Sequence, residues 1–487
     1  MKKILCPLKN ANLKAGILLI IHDLSKEVTY QQFDQSVDFT NEYLKNVGIK
    51  ARDRVAVLGT NCLEYLILLW ALWRKKAIAC LLSPRLPPKI LLHQFKKMNC
   101  QAIWLSSQFD NLPIFNSLKK FSLKEIKLSK EKYKGLPKAF VNDKQESTIL
   151  LTSGSAGEPK AVVLTLGNHV YNALGSNENI PVQPRDRWLL SLPLYHVSGL
   201  GILFRVILGK GALVLPPEKM DLINTIKKCS VTHISLVPAQ LFRLLQDRGH
   251  IKTLKKLKVI LLGGSPIPPL ILKRAKECRL PVFTTYGLTE MASQVATSPQ
   301  PIFALPASFS SKKKILKYRE VKITQDQEIL VRGRTLFKGY LKAKKVILPL
   351  NKQGWFQTGD LGSFDKGGFL TVIGRKDDMF ISGGENIYPE EIEREILKIQ
   401  NIEEVLVGPL ADQEFGFRPI AFIKFKAKKK ISPKIIIRAL KQSLPRFKIP
   451  DQFYPWPLTA DLKLPLGKTQ RFYFFQFIKQ RNRGLKF

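Results

Sequence analysis

Cysteine is scarce in this sequence of 487 residues, and no two cysteines are spaced as C-x-x-C. The six cysteines lie far apart and mostly in apolar surroundings, at Cys6, Cys62, Cys80, Cys100, Cys229 and Cys278. This pattern indicates neither a zinc site nor a disulfide framework. A reducing compartment fits it best, and we therefore expect a cytoplasmic protein.

Long hydrophobic runs are also missing. The apolar run at 16–21 is too short for a secretory signal and is soon followed by Asp23. The longer stretch at 63–82 is interrupted by Arg74, Lys75 and Lys76, so it fits a buried helix followed by a strand better than a membrane span. The sequence predicts no transmembrane segment.

Acidic residues are few: 38 Asp and Glu stand against 79 Lys and Arg, which gives a formal net charge of +41. Such an excess can attract nucleic acid or an anionic membrane. The basic residues are spread along the whole chain, however, which favours general lysine enrichment of the surface. We expect no specific nucleic-acid partner, leave peripheral contact with an anionic membrane open, and expect the field to attract anionic substrates.

The chain is too long for one ordinary domain. Residues 1–140 alternate helical patterns with short apolar strands, which predicts an α/β fold with a mostly parallel, doubly wound sheet. The predicted helices lie at 29–47, 63–73 and 89–98, and the strands at 54–58, 77–82 and 102–105. Short strands with turns from about 319 indicate a β-rich subdomain, and a small α+β domain follows from about 378 to the end.

A small polar loop interrupts two apolar stretches within residues 147–166, which predicts strand, tight loop, strand. Its glycines allow close approach to the backbone, while its hydroxyls, N–H groups and lysine suit a polyphosphate. The residues concerned are Thr152, Ser153, Gly154, Ser155, Gly157 and Lys160. The glycine spacing differs from that of a Walker A loop. An ordinary polar hairpin fits the loop alone about equally well.

Two further turns follow predicted strands, where open α/β sheets bind ligands. Gly263, Gly264 and Ser265 come directly after the strand predicted at 259–262. The second turn contains Tyr286, Gly287, Thr289 and Glu290, which are suited to stack a base, hold a phosphate and bind Mg²⁺. The alternative is a β-turn in which Thr289 caps a helix.

Arg205 stands in an otherwise apolar helical stretch predicted at 202–208, after a strand predicted at 188–192. Burial of a guanidinium is costly unless it is paired, so either a salt-bridged side chain or a binding site explains it. His196 fits a core histidine as well as a functional one.

Five segments, in this order and spacing, resemble the adenylate-forming superfamily of acyl-CoA synthetases, luciferases and peptide-synthetase adenylation domains. They are TSGSAGEPK (152–160), YGLTE (286–290), GWFQTGD (354–360), GRKDDMFISGGENIYPEEIE (374–393) and PLGK (465–468). The acyl-pocket half is most similar to the o-succinylbenzoate–CoA ligases of menaquinone synthesis. That likeness rests on segments 167–176, 188–205, 233–245 and 285–299.

The resemblance implies an AMP-binding domain at 1–376 and a mobile C-terminal domain at 377–487 that turns about Asp377. It also implies ATP, Mg²⁺, coenzyme A and a small carboxylic acid as reactants or cofactors. The nucleotide- and CoA-binding positions are Thr152, Ser153, Gly154, Ser155, Gly157, Lys160, Gly263, Gly264, Ser265, Tyr286, Gly287, Asp360, Arg375 and Gly384. The implied catalytic positions are Lys468, Thr289 and His196, the metal ligand is Glu290, and the acid-binding positions are Ser198, Arg205 and Ser235.

The phosphate loop departs from the superfamily pattern at Ala156, where a hydroxyl is usual, and at Ala161, where a glycine is usual. Two alternatives stay open: another aryl or medium-chain acyl-CoA ligase, and a non-catalytic relative that binds polyanions. The second is opposed by four retained residues, Lys468, Asp360, Arg375 and Glu290. Monomer and homo-oligomer both remain compatible with the sequence.

Overall fold

The computed structural model describes residues 3–12, 16–21, 27–109, 112, 115–123, 140–152, 159–217, 221–306, 312–382, 385–412, 415–426 and 431–456. The helices are α1 (Pro7–Asn12), α2 (Tyr30–Asn46), α3 (Leu63–Arg74), α4 (Pro88–Lys97), α5 (Leu166–Asn179), α6 (Val197–Gly209), α7 (Leu222–Lys228), α8 (Pro238–Leu244), α9 (Arg248–Leu254), α10 (Pro269–Glu277), α11 (Pro389–Ile396) and α12 (Pro433–Leu440).

The first fourteen strands are β1 (Lys3–Leu5), β2 (Ile17–Ile21), β3 (Glu27–Thr29), β4 (Arg54–Leu58), β5 (Ile78–Leu82), β6 (Ala102–Leu105), β7 (Lys120–Phe121), β8 (Phe140–Asn142), β9 (Glu146–Thr152), β10 (Lys160–Thr165), β11 (Arg187–Leu189), β12 (Ala212–Leu215), β13 (His233–Leu236) and β14 (Val259–Leu262). The others are β15 (Val282–Leu288), β16 (Ser293–Thr297), β17 (Lys314–Ile315), β18 (Arg319–Ile323), β19 (Glu328–Gly333), β20 (Gly339–Lys342), β21 (Lys345–Ile347), β22 (Phe356–Phe364), β23 (Leu370–Arg375), β24 (Phe380–Ser382), β25 (Glu385–Ile387), β26 (Ile402–Asp412), β27 (Gly416–Phe425) and β28 (Gln452–Pro455).

Two large sheets dominate the fold. The first has the order β21-β20-β10-β9-β5-β4-β6-β7, and the second has the order β17-β16-β15-β14-β13-β11-β12-β2-β3. Parallel pairs form the centre of each sheet. Antiparallel strands complete both edges of the second sheet and the β21 edge of the first, whereas its other edge strand, β7, runs parallel to β6. The central strands β4 and β5 read RVAVL and IACLL, continuous apolar runs typical of strands covered on both faces. The predicted α/β fold with doubly wound sheets is confirmed.

Helices lie between the two sheets and on their outer faces. In β4, Val55 and Val57 belong to the central core, whereas Ala56 and Leu58 belong to a separate outer core, because successive side chains point to opposite faces. Side chains from α2, α3, α5 and α6 join the central core together with the inner faces of both sheets. Side chains from α7 to α10 join an outer core on the second sheet. The result is five alternating layers of helix and sheet.

Local capping explains where α5 begins. The hydroxyl of Thr165 accepts a hydrogen bond from the Asn168 amide at 3.1 Å, and the Asn168 side chain accepts one from the Thr165 amide at 2.8 Å. This reciprocal cap lets the helix start directly after β10. It thereby fixes the end of the hairpin that carries the polar loop.

The β-rich region after residue 319 forms a four-stranded antiparallel sheet of order β18-β19-β22-β23. Beyond it, a three-stranded sheet of order β26-β27-β28 packs with α11 and α12 around a small core of its own. Both units have the secondary structure predicted from the sequence, β-rich from about residue 319 and mixed α and β from about residue 378. No helix among the described residues is long and apolar enough to cross a membrane.

His169 of α5 is buried in the central core, where its ring stacks on Phe204 at 5.0 Å between centroids. Burial lowers the pKa of His169 to about 3. An unfolded histidine titrates near 6.5, so between these pH values the unfolded chain binds a proton that the folded chain does not. The free energy of unfolding should therefore fall as the pH drops from about 6.5 towards 3.

We expect His169→Gln to make that fall shallower by up to about 1.4 kcal/mol per pH unit, the value for one proton. Urea unfolding of both proteins at several pH values from neutral down to mildly acidic measures the slopes. His233, whose pKa burial lowers to about 4, stays in place and supplies part of the remaining slope. The carboxyl groups of Asp326 and Asp365, whose pKa values are lowered by hydrogen bonds from Lys376 and Lys312, contribute to it as well. Equal slopes in the two proteins would contradict the assignment to His169.

Candidate active site

The polar loop starts and ends in the antiparallel hairpin of β9 and β10. Lys160 is the register partner of Thr152, whose hydroxyl donates to the Lys160 carbonyl at 3.4 Å. The predicted strand–loop–strand arrangement is thus present. Several predicted positions lie outside the described residues: Ser153, Gly154, Ser155, Gly157, Gly384 and Lys468. The backbone of Asp377 lies in a 3₁₀ turn (Lys376–Asp378) after β23.

Gly263 and Gly264 follow β14 at the carboxyl edge of the second sheet, with Ser265 next. A Cβ atom on Gly263 would come within 2.6 Å of the Thr285 methyl group, and Gly264 has a φ of +88°. Both positions therefore require glycine for a close approach and a left-handed backbone, respectively. This turn lies beside β15, the strand that carries Tyr286.

The sequence predicted that Tyr286 and Gly287 lie in a turn after a strand. In the structure they lie within strand β15 instead. The strand runs on to Leu288 because β16 folds back and pairs with it antiparallel. A Cβ atom on Gly287 would lie 2.0 Å from the Ser293 carbonyl oxygen, so glycine permits this close pairing. Thr289 lies in a 3₁₀ turn (Thr289–Met291), and no side-chain cap is formed there.

Tyr286, Asp360 and Arg375 meet although they are distant in sequence. The Tyr286 hydroxyl donates to Asp360 Oδ2 at 2.6 Å, and Arg375 Nη1 lies 2.8 Å from Asp360 Oδ1. Burial and the Asp360 charge raise the pKa of Tyr286 well above its usual value, so it stays a donor. The Asp360 side chain is 12% exposed. A carboxylate held this way is oriented to accept hydrogen bonds from sugar hydroxyls.

Glu290 and Lys160 meet at Tyr340, a residue that the sequence reading missed. The Tyr340 hydroxyl donates to Glu290 Oε1 at 2.8 Å, and Lys160 Nζ lies 5.4 Å from the Tyr340 ring centroid. Only the pairing of β20 with β10 brings Tyr340 here, opposite Val162. The sequence around Tyr340, GYLK in the short strand β20, contains no motif that marks it as a site residue. The cluster joins one carboxylate and one cation beside the predicted phosphate loop.

The described residues contain no group of three or more His, Cys, Asp or Glu that could hold a metal ion by themselves. Mg²⁺ is typically bound through one or two carboxylates, with substrate phosphates and water as the other ligands. Glu290, oriented by Tyr340 next to Lys160, fits that arrangement.

A second region of the site is built on α6. This helix begins at Val197, earlier than its predicted start at 202, and His196 occupies its N-cap position. The segment contains two glycines, which made a helix hard to predict, but Gly199 packs where a Cβ would lie 2.2 Å from the Pro193 carbonyl oxygen. Ser198 and Arg205 are seven residues apart and so share one helix face. His196 and Ser198 are half-buried.

Arg205 is 1% exposed and lies at the centre of this region. Its guanidinium lies 4.9 Å from the Trp188 ring, and its Nη1 donates to the side-chain oxygen of Gln294. The Trp188 indole in turn donates to the Ser235 hydroxyl at 3.2 Å. A Cβ on Gly201 would lie 3.1 Å from Arg205 Nη2, so this glycine leaves room for the guanidinium. Arg205 Nε has no hydrogen-bond partner among the described residues.

The charge on Arg205 is not neutralised by any carboxylate within salt-bridge distance in the described part of the chain. Burial lowers the pKa of Arg205 to about 9. Burial and the charge of Arg205 lower the pKa of Arg319 to about 9 as well. Among the described residues, Arg319 donates only to carbonyl oxygens, those of Asn172, Gln294 and Lys317. Two buried cations without a described counter-ion favour an anionic ligand.

The two regions touch across one strand pair. Gly287 of β15 is the register partner of Gln294 of β16, whose side chain contacts Arg205. The structure therefore brings the predicted nucleotide positions next to the predicted acid positions. Sequence reasoning missed Gln294, Trp188 and Arg319. The first two lie within segments that carried the resemblance, whereas Arg319 gave no signal.

Comparison with known proteins gives a family match. The model of the AMP-binding enzyme family matches residues 10–341. The 2-succinylbenzoate–CoA ligase of a Bacillus cereus strain is 32% identical over 438 residues, which is 87% of this chain and 89% of that protein.

Two solved structures of o-succinylbenzoate CoA synthetase from Bacillus subtilis are also similar. The complex with the acyl-adenylate intermediate OSB-AMP has a TM-score of 0.85 and 28% identity, and the match covers 100% of both chains. The complex with ATP and magnesium ion has a TM-score of 0.83 and 29% identity, covering 96% of this chain and 99% of that chain.

Proposed function

Because the chain belongs to the AMP-binding enzyme family, we propose that it is an ATP-dependent acid–CoA ligase that converts 2-succinylbenzoate to its CoA thioester. AMP and pyrophosphate are the other products. The observation that carries the choice of acid is Arg205, a buried cation without a described counter-ion, which contacts Gln294 beside the nucleotide strand. A monocarboxylic acid uses its one carboxylate in the reaction and would leave the Arg205 charge without a partner. A dicarboxylic acid has a second carboxylate that can pair with Arg205.

In the first step a carboxylate oxygen of the acid attacks the α-phosphorus of ATP. The bond from that phosphorus to the bridging oxygen breaks, and pyrophosphate leaves with the electron pair. Asp360 holds the ribose hydroxyls, with Tyr286 and Arg375 orienting it. Lys160 faces the β- and γ-phosphates, and Thr289 faces the α-phosphate. The aromatic ring of Tyr286 and the turn after β14 frame the adenine.

Glu290 is the protein ligand for Mg²⁺, with Tyr340 fixing its orientation. The metal neutralises charge on the phosphate oxygens as pyrophosphate departs. Lys468, which the resemblance assigns to this step, supplies a second positive charge there. His196, at the start of α6, gates the acid pocket in the proposal, and Ser198 and Ser235 hold the ketone end of the acid.

In the second step the thiol sulfur of coenzyme A attacks the acyl carbonyl. AMP leaves with the electrons of the broken carbon–oxygen bond, and the thiol proton passes to solvent. The C-terminal residues 377–487 turn about Asp377 between the steps and bring Gly384 beside the pantetheine arm. Lys376, directly before the hinge, pairs with Asp326 at 2.5 Å and Glu328 at 2.9 Å. These contacts support the proposal by fastening one side of the hinge to the β-rich subdomain.

Acid-dependent exchange of pyrophosphate into ATP tests the proposal. The acids are 2-succinylbenzoate, benzoate, octanoate and none, and we expect exchange with the first alone. Exchange with benzoate or octanoate would contradict 2-succinylbenzoate as the specific substrate but would still support an acid–CoA ligase. Steep salt-dependent binding of polyanions without any exchange would favour the non-catalytic alternative. The proposed site of action is the cytoplasm, where ATP and coenzyme A are available and where free thiols such as the six found here persist.

A further inference from the structure

The edge of the first sheet carries an exposed apolar patch. Within the described part of the chain, strand β21 is paired on one side only, with β20. Directly at and after this strand, Ile347, Leu348 and Leu350 are 48%, 37% and 39% exposed. Single exposed apolar side chains are ordinary, whereas here three large apolar side chains are exposed within four consecutive residues. We call residues 342–352 the β21 patch.

The β21 patch is also strongly basic. It contains Lys342, Lys344, Lys345 and Lys352, all exposed, and no acidic residue. None of these four lysines forms an ion pair with a described residue. Lysine on an edge strand commonly prevents strand addition by another chain. That role explains the lysines of the strand but not the three exposed aliphatic side chains next to them.

Three partners could cover the β21 patch: a second copy of this chain, nucleic acid or a lipid bilayer. Charge and apolar exposure together distinguish them. A second copy of this chain would bring four more lysines and a net charge of +41 against the first, which opposes pairing of two β21 edges. Nucleic acid would satisfy the lysines but leave Ile347, Leu348 and Leu350 exposed to water. An anionic bilayer suits both the lysines and the apolar side chains. Its negatively charged head groups attract lysine, and the boundary between head groups and acyl chains accepts apolar side chains.

We propose that the β21 patch is a docking surface for anionic lipid bilayers. The four lysines face the phosphates of the head groups, and the three aliphatic side chains enter the head-group region. The patch follows Tyr340 in the chain, and Tyr340 is the register partner of Ile347 and contacts Glu290. Docking therefore places the phosphate side of the active site close to the membrane surface.

Sedimentation of the full chain with phospholipid vesicles, without substrates, tests the proposal. We expect binding to vesicles that contain phosphatidylglycerol and little binding to pure phosphatidylcholine. The triple variant Ile347→Ser, Leu348→Ser, Leu350→Ser removes the apolar part at unchanged charge. The quadruple variant with Lys342, Lys344, Lys345 and Lys352 each replaced by Gln removes the charge. Each should lower partitioning by about tenfold or more.

A charge-matched control separates the patch from the overall basic character of the chain. Lys227, Lys228, Lys252 and Lys255 are exposed on or beside α7 and α9, two helices without an exposed large apolar side chain. Their replacement by Gln lowers the net charge by the same amount and should change partitioning by less than about threefold. Equal losses in the two quadruple variants, an unaffected triple variant, or no binding of the unaltered chain would each overturn the proposal. Retained pyrophosphate exchange in every variant shows that it is folded.

Discussion

Replacement of Arg205 by methionine is expected to lower kcat/KM for 2-succinylbenzoate by about 10²- to 10³-fold, about 3–4 kcal/mol, because the second carboxylate would lie buried without its cation. Methionine keeps much of the apolar volume of the arginine stem, so the pocket stays filled. The matched acid 4-oxo-4-phenylbutanoate keeps the aliphatic carboxylate and the ketone but lacks the ring carboxylate. Its kcat/KM should change by less than about fivefold, because this acid places no charge beside residue 205.

Gln294→Glu tests the same charge without removing Arg205. The new carboxylate would replace a neutral oxygen that already accepts from Arg205 Nη1. It would neutralise the guanidinium within the protein. The hydroxyls of Thr285 and Thr297, which now accept from the Gln294 amide, would donate to the carboxylate in exchange for their present bonds to the Ala296 carbonyl and to each other. We expect kcat/KM for 2-succinylbenzoate to fall about as far as in Arg205→Met, while kcat/KM for 4-oxo-4-phenylbutanoate changes little. The variant should then prefer 4-oxo-4-phenylbutanoate.

Steady-state kinetics with both acids distinguishes the explanations for Arg205 and Gln294. A structural role would reduce activity with either acid alike, and such parallel losses would contradict the assignment of Arg205 to substrate charge. Gln294→Leu serves as the control for lost hydrogen bonding. It should weaken catalysis with both acids to a similar extent, since it removes the contact to Arg205 without adding a charge.

Glu290→Gln is expected to lower the rate of adenylate formation by about 10²-fold or more, comparable to the loss of one preorganised electrostatic contact in a transition state. An amide oxygen is a weaker ligand for Mg²⁺ than a carboxylate, so the Mg²⁺ concentration that gives half-maximal rate should rise. Pyrophosphate exchange measured over a range of Mg²⁺ concentrations gives both quantities. High Mg²⁺ should restore part of the rate.

Tyr340→Phe provides the matched control for Glu290. It removes only the hydroxyl that donates to Glu290 Oε1 and keeps the ring under Lys160. We expect a loss of about tenfold, close to the lower end of what one hydrogen bond to a charged group contributes, with a small change in Mg²⁺ dependence. If Glu290→Gln left the Mg²⁺ dependence unchanged, Glu290 would not be the metal ligand.

The sequence predicted elements whose signals are local. Strands β4, β6 and β14 have the predicted bounds because each is a short apolar run between polar turns. The strand predicted at 188–192 ends at Leu189 instead, since the Ser191 amide turns back to the Leu189 carbonyl. Helix α6 was predicted too short because the packing that tolerates Gly199 and Gly201 is tertiary.

The site contacts were harder to predict because they join distant residues. Tyr286 and Asp360 are 74 positions apart, and Tyr340 lies 50 positions from Glu290. Motif order identified Tyr286, Asp360 and Glu290 as site residues, but no periodicity or spacing shows that a hydroxyl of one strand donates to a carboxylate of another. Tyr340 and Gln294 depend wholly on strand pairing, which a single sequence does not display.

The pairing of Gly287 with Gln294 has a consequence for how this enzyme can change its acid preference. We expect a substitution in β16 that reshapes the proposed acid pocket to displace β15 as well, and with it Tyr286 on the proposed nucleotide side. Gains in selectivity obtained there will carry a penalty in ATP affinity, and such mutations will combine non-additively. In the proposed complex, side chains on α6 border the acid and lie outside that strand pair, although Arg205 contacts Gln294. Laboratory evolution towards new acids should therefore accumulate its first useful changes on the helix.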